Sequence, residues 1–482
     1  MTPSTAVTAP PVGAGFAALG VPAALVRALD AQGITSPFPI QTATLPDTLA
    51  GRDVLGRGRT GSGKTLAFSL PLVARLLGGQ RRPRQARALV LVPTRELANQ
   101  VLAVVAPLAH AVGLTSTVVF GGVGQNPQVR AIAPGVDILV ACPGRLEDLI
   151  GQGLVDLSGV EVTVLDEADH MADLGFLPGV KRLLDRTPTN GQRMLFSATL
   201  DNGVDVLVKR YLHAPATHSV DPVVAPVSTM THHVFAVSTA DKADVVRELA
   251  SGAERSLLFM RTKHTAKKLA KQLTAAGVPA VELHGNLSQN ARERNLSAFT
   301  DGTTRVLVAT DIAARGIHVD DVALVVHVDP PTEHKAYLHR SGRTARAGAG
   351  GTVVTLATPD QAGEVRLLAK QAGIRPVTVA VRPGDSTITD LTGPPAPYVE
   401  PPVQEPEPTR PARRPAAAGG RGGAGQGRAA APAGRSAAPS TDRNAAAPAG
   451  RTRSAGPART RAELAARAGQ GPARSARPRR GV

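Results

Sequence analysis

Apolar positions come in short bursts along this chain. Between Phe16 and about Tyr211, the runs Ala88–Val92, Thr117–Phe120, Asp137–Val140, Val162–Leu165 and Met194–Phe196 are three to five residues long, with helical periods between them. Runs that short, bounded by turn residues, predict buried strands. A second alternating block runs from about Thr231 to Val381, with Ser256–Met260, Ala280–Leu283, Arg305–Ala309, Leu324–Val328 and Thr352–Leu356 as its strands. Strand–helix alternation predicts an α/β fold: in each block, a parallel sheet covered by helices. Residues 213–230 carry three prolines and no helical period, and predict a linker. Residues 1–15 are small and proline-containing, and predict a disordered N-terminus.

The organisation is therefore a domain at 16–212, the linker at 213–230 and a second domain at 231–382. Residues 383–482, most clearly from Gly393 on, are rich in Pro, Ala, Gly and Arg, with little to bury, and predict a disordered low-complexity tail.

Charge sharpens this division. Of the net +17, +12 lies in residues 401–482, which hold 16 Arg, no Lys and 4 acids. A basic tail predicts a polyanionic partner such as nucleic acid. The single cysteine, Cys142, excludes an intramolecular disulfide or a cysteine-based metal site. The start, M-T-P-S-T-A-V, has no basic-then-apolar leader, and no apolar run reaches membrane-spanning length. The expectation is a cytoplasmic chain with no membrane partner.

The candidate chemistry begins at residues 58–65, G-R-T-G-S-G-K-T. Gly58, Gly61 and Gly63 allow a tight turn whose backbone N–H groups can cradle phosphates; Thr60 and Ser62 complete the loop. Lys64 can reach the outer phosphates and Thr65 can offer a hydroxyl to Mg2+. The apolar run Leu66–Leu70 then begins a helix whose N-terminus favours an anion. About a hundred residues on, D-E-A-D (166–169) follows the strand Val162–Leu165. Asp166 is placed to hold the metal, and Glu167 to orient or deprotonate an attacking water.

These motifs, with others in the same order, resemble those of the DEAD-box ATP-dependent RNA helicases of superfamily 2, the bacterial members most of all, from Phe16 to roughly residue 380. Gly33-Ile34 with Pro37-Phe38-Pro39-Ile40-Gln41 resembles the Q motif, and Phe16 lies at the spacing of its upstream aromatic. A glutamine amide can pair with adenine N6 and N7, and Phe16 could stack on the base. Thr94 and Arg95, Gly122, and Gly144 with Arg145 resemble RNA-contacting motifs. Cys142, whose thiol is a poorer donor than a hydroxyl, stands where the family usually has Thr. Ser197 and Thr199 match the motif that couples ATP state to unwinding. In the second block, Arg261 with Thr262, Gly285, and Thr310 are the RNA contacts implied. The resemblance also puts Asp311 at the ribose, has Arg343 and Arg346 as arginine fingers, and sets His339 and Arg340 at the domain interface. His318 stands where Asp is common, and Ser341 and Ala345 replace the usual Ile and Gly.

The resemblance implies two tandem RecA-like domains with one ATP and Mg2+ between them. RNA- and ATP-driven closure would locally unwind RNA or remodel RNA–protein complexes, with ribosomal or RNA-decay assemblies as possible settings. An RNA clamp or annealing chaperone, and a DNA helicase of the same superfamily, are the competing readings. G-G-R-G-G (419–423) resembles segments that bind single strands loosely, which makes the tail an RNA tether, with a solubilising spacer as the alternative.

Overall fold

The computed structural model describes residues 15–58, 61–199, 202–220, 230–314, 322–345 and 350–400. Its first sheet consists of β1 (Val54–Arg57), β2 (Ala86–Leu91), β3 (Ser116–Val119), β4 (Val136–Ala141), β5 (Val162–Leu165), β6 (Gln192–Ser197) and β7 (Ala216–Ser219). All neighbours pair in parallel, in the order β3-β4-β2-β5-β6-β1-β7. The second sheet consists of β8 (Met230–Ala236), β9 (Ser256–Met260), β10 (Ala280–Leu283), β11 (Val306–Thr310), β12 (Leu324–His327), β13 (Gly351–Ala357) and β14 (Val377–Ala380). It is also fully parallel, in the order β10-β11-β9-β12-β13-β8-β14. Subtracting seven from each label reproduces the first sheet. These are tandem RecA-like domains.

Each sheet buries apolar side chains on both faces, in separate clusters. That is why its central strands read as continuous apolar runs. Phe68 and Phe196 meet in the first core with ring centres 5.5 Å apart. Gly56 of β1 exists for that packing, since a Cβ there would lie 2.5 Å from the Phe196 ring.

Four strands escape the periodicity. β1 is short and ends in Gly-Arg. β8 opens M-T-H-H, with His232 buried by bonding to the Tyr337 hydroxyl at 2.9 Å. β7 and β14 are sheet edges, polar or exposed enough to read as loop. β7 lies inside the expected linker, which is corrected to begin after it. Its backbone joins the ladder of β1, and His218 Nε2 meets Asp47 Oδ2 at 2.7 Å. Residues 221–229, the rest of that linker, lie outside the described residues.

The expected start of the tail at 383 is likewise corrected. Helix Ser386–Thr392 is capped by Asp385 and buries Ile388. Residues 393–400 then run as a strap over the second domain. Pro395 bridges Gly252, Ala396 N–H donates to Ser251 O at 2.8 Å, and Val399 N–H donates to Gly277 O at 3.0 Å. The strap has little to bury but finds free backbone acceptors, which hydropathy does not register. The N-terminal residues 1–14 and the tail from 401 lie outside the described residues.

Candidate nucleotide and nucleic-acid site

β1 leads into the glycine-rich loop at the C-terminal edge of the first sheet. Gly61 and Gly63 adopt φ of 86° and 90°, the left-handed region that a Cβ disfavours. Helix Lys64–Arg75 begins directly after them. Lys64 is buried; its ammonium donates to Gly58 O at 2.7 Å and pairs with Glu167 at 3.2 Å. Burial works against that charge, but Glu167, Asp166 and Asp169 outweigh it and raise the lysine pKa. Ser62 Oγ is buried with no hydrogen-bond partner among the described residues, and Thr65 borders a cavity of about 550 Å3. Thr60 lies outside the described residues.

Asp166 and Glu167 follow β5 into the same cavity. Glu167 takes φ 51° and ψ 49°, unusual for a non-glycine residue, and this turns its carboxylate back onto Lys64. Burial, reinforced by the Glu167 charge, pushes Asp166 up to about 7. Burial would also raise Glu167, but Lys64, His170 and Arg343 together bring it down to about 2. Asp169 faces away from the cavity toward β6. Its Oδ2 accepts from Thr199 N–H (2.8 Å) and Thr199 Oγ1 (2.9 Å), while Ser197 Oγ donates to Thr199 O at 2.8 Å. The D-E-A-D turn and the Ser197–Thr199 turn are thus one hydrogen-bonded unit.

Gln41 lines the same cavity: its Oε1 accepts from Phe38 N–H at 2.9 Å and its Nε2 donates to Gly63 O at 3.0 Å. One lone pair and one N–H remain on that amide. Phe16 does not reach the cavity. It is 3% exposed in the first core, away from the position expected of a base-stacking ring. Phe38, 53% exposed, lines the cavity with its ring against Gly63, where a Cβ would come within 2.5 Å of it.

The second domain contributes Arg343, which borders the cavity beside Lys64, Asp166 and Glu167. Helix His334–Ser341 carries it there, and its Nε donates to His339 O at 3.3 Å. Arg346 lies outside the described residues, as does His318. Arg340 is committed elsewhere: its guanidinium bonds both oxygens of Asp311 (2.5 and 2.7 Å), donates to Asp329 O at 2.8 Å and stacks on Phe259. Asp311 therefore faces Arg340 and does not line the cavity where a ribose contact was expected.

The expected RNA-contact residues fall on loops, helix starts and, for Thr310, a strand end. Thr94 and Thr262 are side-chain N-caps of helices Arg95–His110 and Lys263–Ala275. Arg95 packs on Gly122, where a Cβ would lie 2.0 Å from Nη1. Arg145 donates twice to Val123 O at 3.2 Å. Gly144 and Gly285 have open space around them, and Arg261 is exposed. Thr310 ends β11. The two domains meet where Arg292 Nε bonds Glu96 at 2.7 Å and Asn99 bonds Glu293 at 3.1 Å. Cys142 caps its helix with no side-chain bond, and burial, with Glu96 nearby, pushes its thiol up to about 12.

Residues 38–207 match the DEAD/DEAH box helicase family and residues 241–348 the helicase conserved C-terminal domain. The chain is 38% identical over 378 residues to the ATP-dependent RNA helicase RhlB of Sodalis glossinidius, covering 77% of this chain and 91% of that protein. The chain belongs to the DEAD-box helicase family. It is also 39% identical to DEAD-box ATP-dependent RNA helicase 53 of Oryza sativa, covering 75% of this chain and 61% of that one. It spans 45–64% of the plant relatives it matches. Among solved structures, S. cerevisiae Dbp5 bound to RNA and ADP BeF3 superposes with a TM-score of 0.69 at 29% identity, covering 78% of this chain and 98% of that one. The relatives include bacterial, chloroplastic, mitochondrial and other plant helicases, so bacterial members are not singled out.

DEAD-box helicases use ATP and Mg2+, and the residues here fit both. Left-handed glycines and the buried Ser62 hydroxyl suit an anion, while Thr65 and Asp166 are hard oxygen donors. Among the described residues no three His, Cys, Asp or Glu cluster as a metal cage. Mg2+ takes one or two carboxylates plus phosphate oxygens, and Asp166 offers such a carboxylate. Three residues carry no expectation of their own in the sequence: Asp169 closes the D-E-A-D turn, Glu96 follows Arg95, and Phe38 lies within the stretch that resembles the Q motif.

Proposed function

We propose that this chain is an ATP-dependent RNA helicase that locally unwinds RNA or remodels RNA–protein complexes by closing its two domains over ATP. One observation carries the reading: Arg343 of the second domain borders the same cavity as Lys64, Asp166 and Glu167 of the first. Bound Mg2+, held by Thr65 and Asp166, would offset phosphate charge. Lys64 now spends its charge on Glu167 and Gly58 O. Turning to a phosphate oxygen, it would release Glu167 from the cation that depresses its pKa. Glu167 would thereby become a better acceptor for the proton of the attacking water once substrate is in place. Arg343, with Arg346 beside it in sequence, would stabilise charge developing on the transferred phosphoryl group. The Asp169–Thr199 unit links that event to the Ser197 turn. Gln41 supports adenine recognition with its spare N–H and lone pair.

RNA as the polymer is supported by the Dbp5 likeness and by the order of the motifs, with Thr94, Arg95, Gly122, Gly144, Arg145, Arg261, Thr262, Gly285 and Thr310 as the contacts. A cytoplasmic, bacterial setting fits the Ala-, Arg- and Pro-heavy composition, and an arginine-rich tail suits loose RNA tethering. The test is ATP hydrolysis with RNA, with single-stranded DNA and with neither. Stimulation by RNA alone is expected. Equal stimulation by DNA would favour the DNA-helicase reading, and none by either would leave a clamp.

A further inference from the structure

Ten lysines occur in the whole chain, and four of them, Lys263, Lys267, Lys268 and Lys271, lie on one 13-residue helix, Lys263–Ala275. That helix contains no acid. Its buried residues are Ala266, Ala270 and Leu273, and all four lysines are exposed. Lys263, Lys267 and Lys271 recur every four residues and so form one row of about 12 Å, with Lys268 in the next row. Among the described residues, Lys267, Lys268 and Lys271 have no carboxylate within ion-pair distance. An ordinary solvated helix face of this length would interleave acids to relieve such repulsion.

Both ends of the row lead somewhere. At the start, Lys263 Nζ donates to Asn286 Oδ1 at 2.9 Å, next to Gly285 and directly after Arg261-Thr262. At the end, the helix runs into Gly277, which is covered by Tyr398 of the strap, an aromatic left 67% exposed. From Lys263 to Gly277 is about 20 Å of helix. The counterpart helix of the first domain, Arg95–His110, has no lysine at all.

We propose that this face is a second RNA track, outside the groove between the domains, which holds the phosphate backbone of the strand leaving Arg261 and Gly285 and carries it toward Tyr398. The inference rests on the RNA-helicase reading and extends it to a surface. The occupant follows from charge and continuity: the row begins at expected RNA contacts, and the arginine-rich tail is of like sign and would be repelled from it.

The test is the full chain with Lys267→Gln, Lys268→Gln and Lys271→Gln combined, titrated with oligouridylates of about 10 and about 30 nucleotides across a salt series. Each lost phosphate contact should flatten the log–log salt slope by about 0.7, so about 2 for three lysines. Affinity for the long RNA should fall roughly tenfold to a hundredfold at moderate salt. Binding of the short RNA, and ATP hydrolysis stimulated by it, should stay at parental values. Restoring the three positions as Arg should restore the slope. An unchanged slope with the long RNA would overturn the track, as would equal losses with both lengths. So would loss of poly-glutamate binding in place of RNA binding, which would make this a protein-docking face. If the parent shows no RNA-stimulated hydrolysis, the helicase reading fails, while the parent–variant slope difference still decides the track.

Discussion

The two sheets share one strand order, yet they treat the same two positions differently. In the first, β1 is followed by a glycine-rich loop and a helix opening on Lys64, and β5 is followed by Asp166. In the second, β8 is followed by a helix opening on Lys242, and β12 runs through Val328 to Asp329. Lys242 and Asp329 pair at 3.5 Å, much as Lys64 pairs with Glu167 at 3.2 Å. What the second sheet lacks is the loop. Residues 237–241, V-S-T-A-D, contain no glycine, and Ser238 Oγ closes on Asp241 at 2.8 Å. A lysine and an acid at these positions do not make a phosphate site; the backbone hollow between them does. Freed from that duty, Asp329 anchors Arg261 N–H (2.9 Å) and, through its carbonyl, Arg340.

The sharpest way to break this contrast is to remove each lysine. Lys64→Ala should take ATP hydrolysis to background, whereas Lys242→Ala should leave the rate within about threefold, since effects away from the transition state are small. Comparable losses in both would mean that the second sheet also holds phosphate. Glu167→Gln should keep ATP binding while stopping turnover, and normal turnover would remove it as the proton acceptor.

Next in size is the one group the second domain lends to the cavity. Arg343→Ala should lower kcat by about 10³- to 10⁵-fold, the range of arginine fingers, with little change in ATP affinity. A loss confined to KM would make it a binding residue instead.

Smaller is the effect at the base. Phe38→Ala should weaken ADP binding by about 1–3 kcal/mol, the scale of base stacking, and leave tripolyphosphate binding unchanged. Phe16→Ala should lower the melting temperature without that discrimination. If Phe16→Ala alone separates ADP from tripolyphosphate, the aromatic assignment reverts to Phe16.

The smallest effect concerns the second core alone. His327 is fully buried, bonds Thr355 Oγ1 at 3.0 Å and stacks edge-on to Tyr337 and Phe259. Burial, with Arg340 and His232 adding positive charge, holds its pKa well below the usual 6.5. The unfolded chain therefore binds the extra proton first, so stability should be full above about pH 6.5 and decline as pH falls below it. Calorimetry from pH 7.5 to 5.5 should show that decline, and His327→Asn should flatten it. An equally steep decline in the variant would assign the effect to other groups.

Much of this was legible in the chain because it is local. The phosphate loop, the D-E-A-D turn and the apolar central strands each depend on residues within a few positions of one another. What escaped depends on distant partners. β7 and β14 are strands only because a neighbouring strand offers its edge. Phe16 is the aromatic that motif spacing points to; the fold buries it in the core and leaves Phe38 at the cavity rim. Asp311 could face a ribose until Arg340, 29 residues on, takes both its oxygens. The strap at 393–400 belongs to a stretch whose composition argued for disorder, and only its backbone bonds to Ser251 and Gly277 say otherwise.

Cys142 has a practical consequence. It is the only thiol in the chain, packed at the edge of the first core, and ionises only near 12. Reagents that attack thiolates should pass it over at neutral pH. Cysteines introduced on each domain could then carry a donor and an acceptor dye without first deleting a native one. The separation of the two sheets would become a distance read by fluorescence, molecule by molecule, as nucleotide and RNA are added.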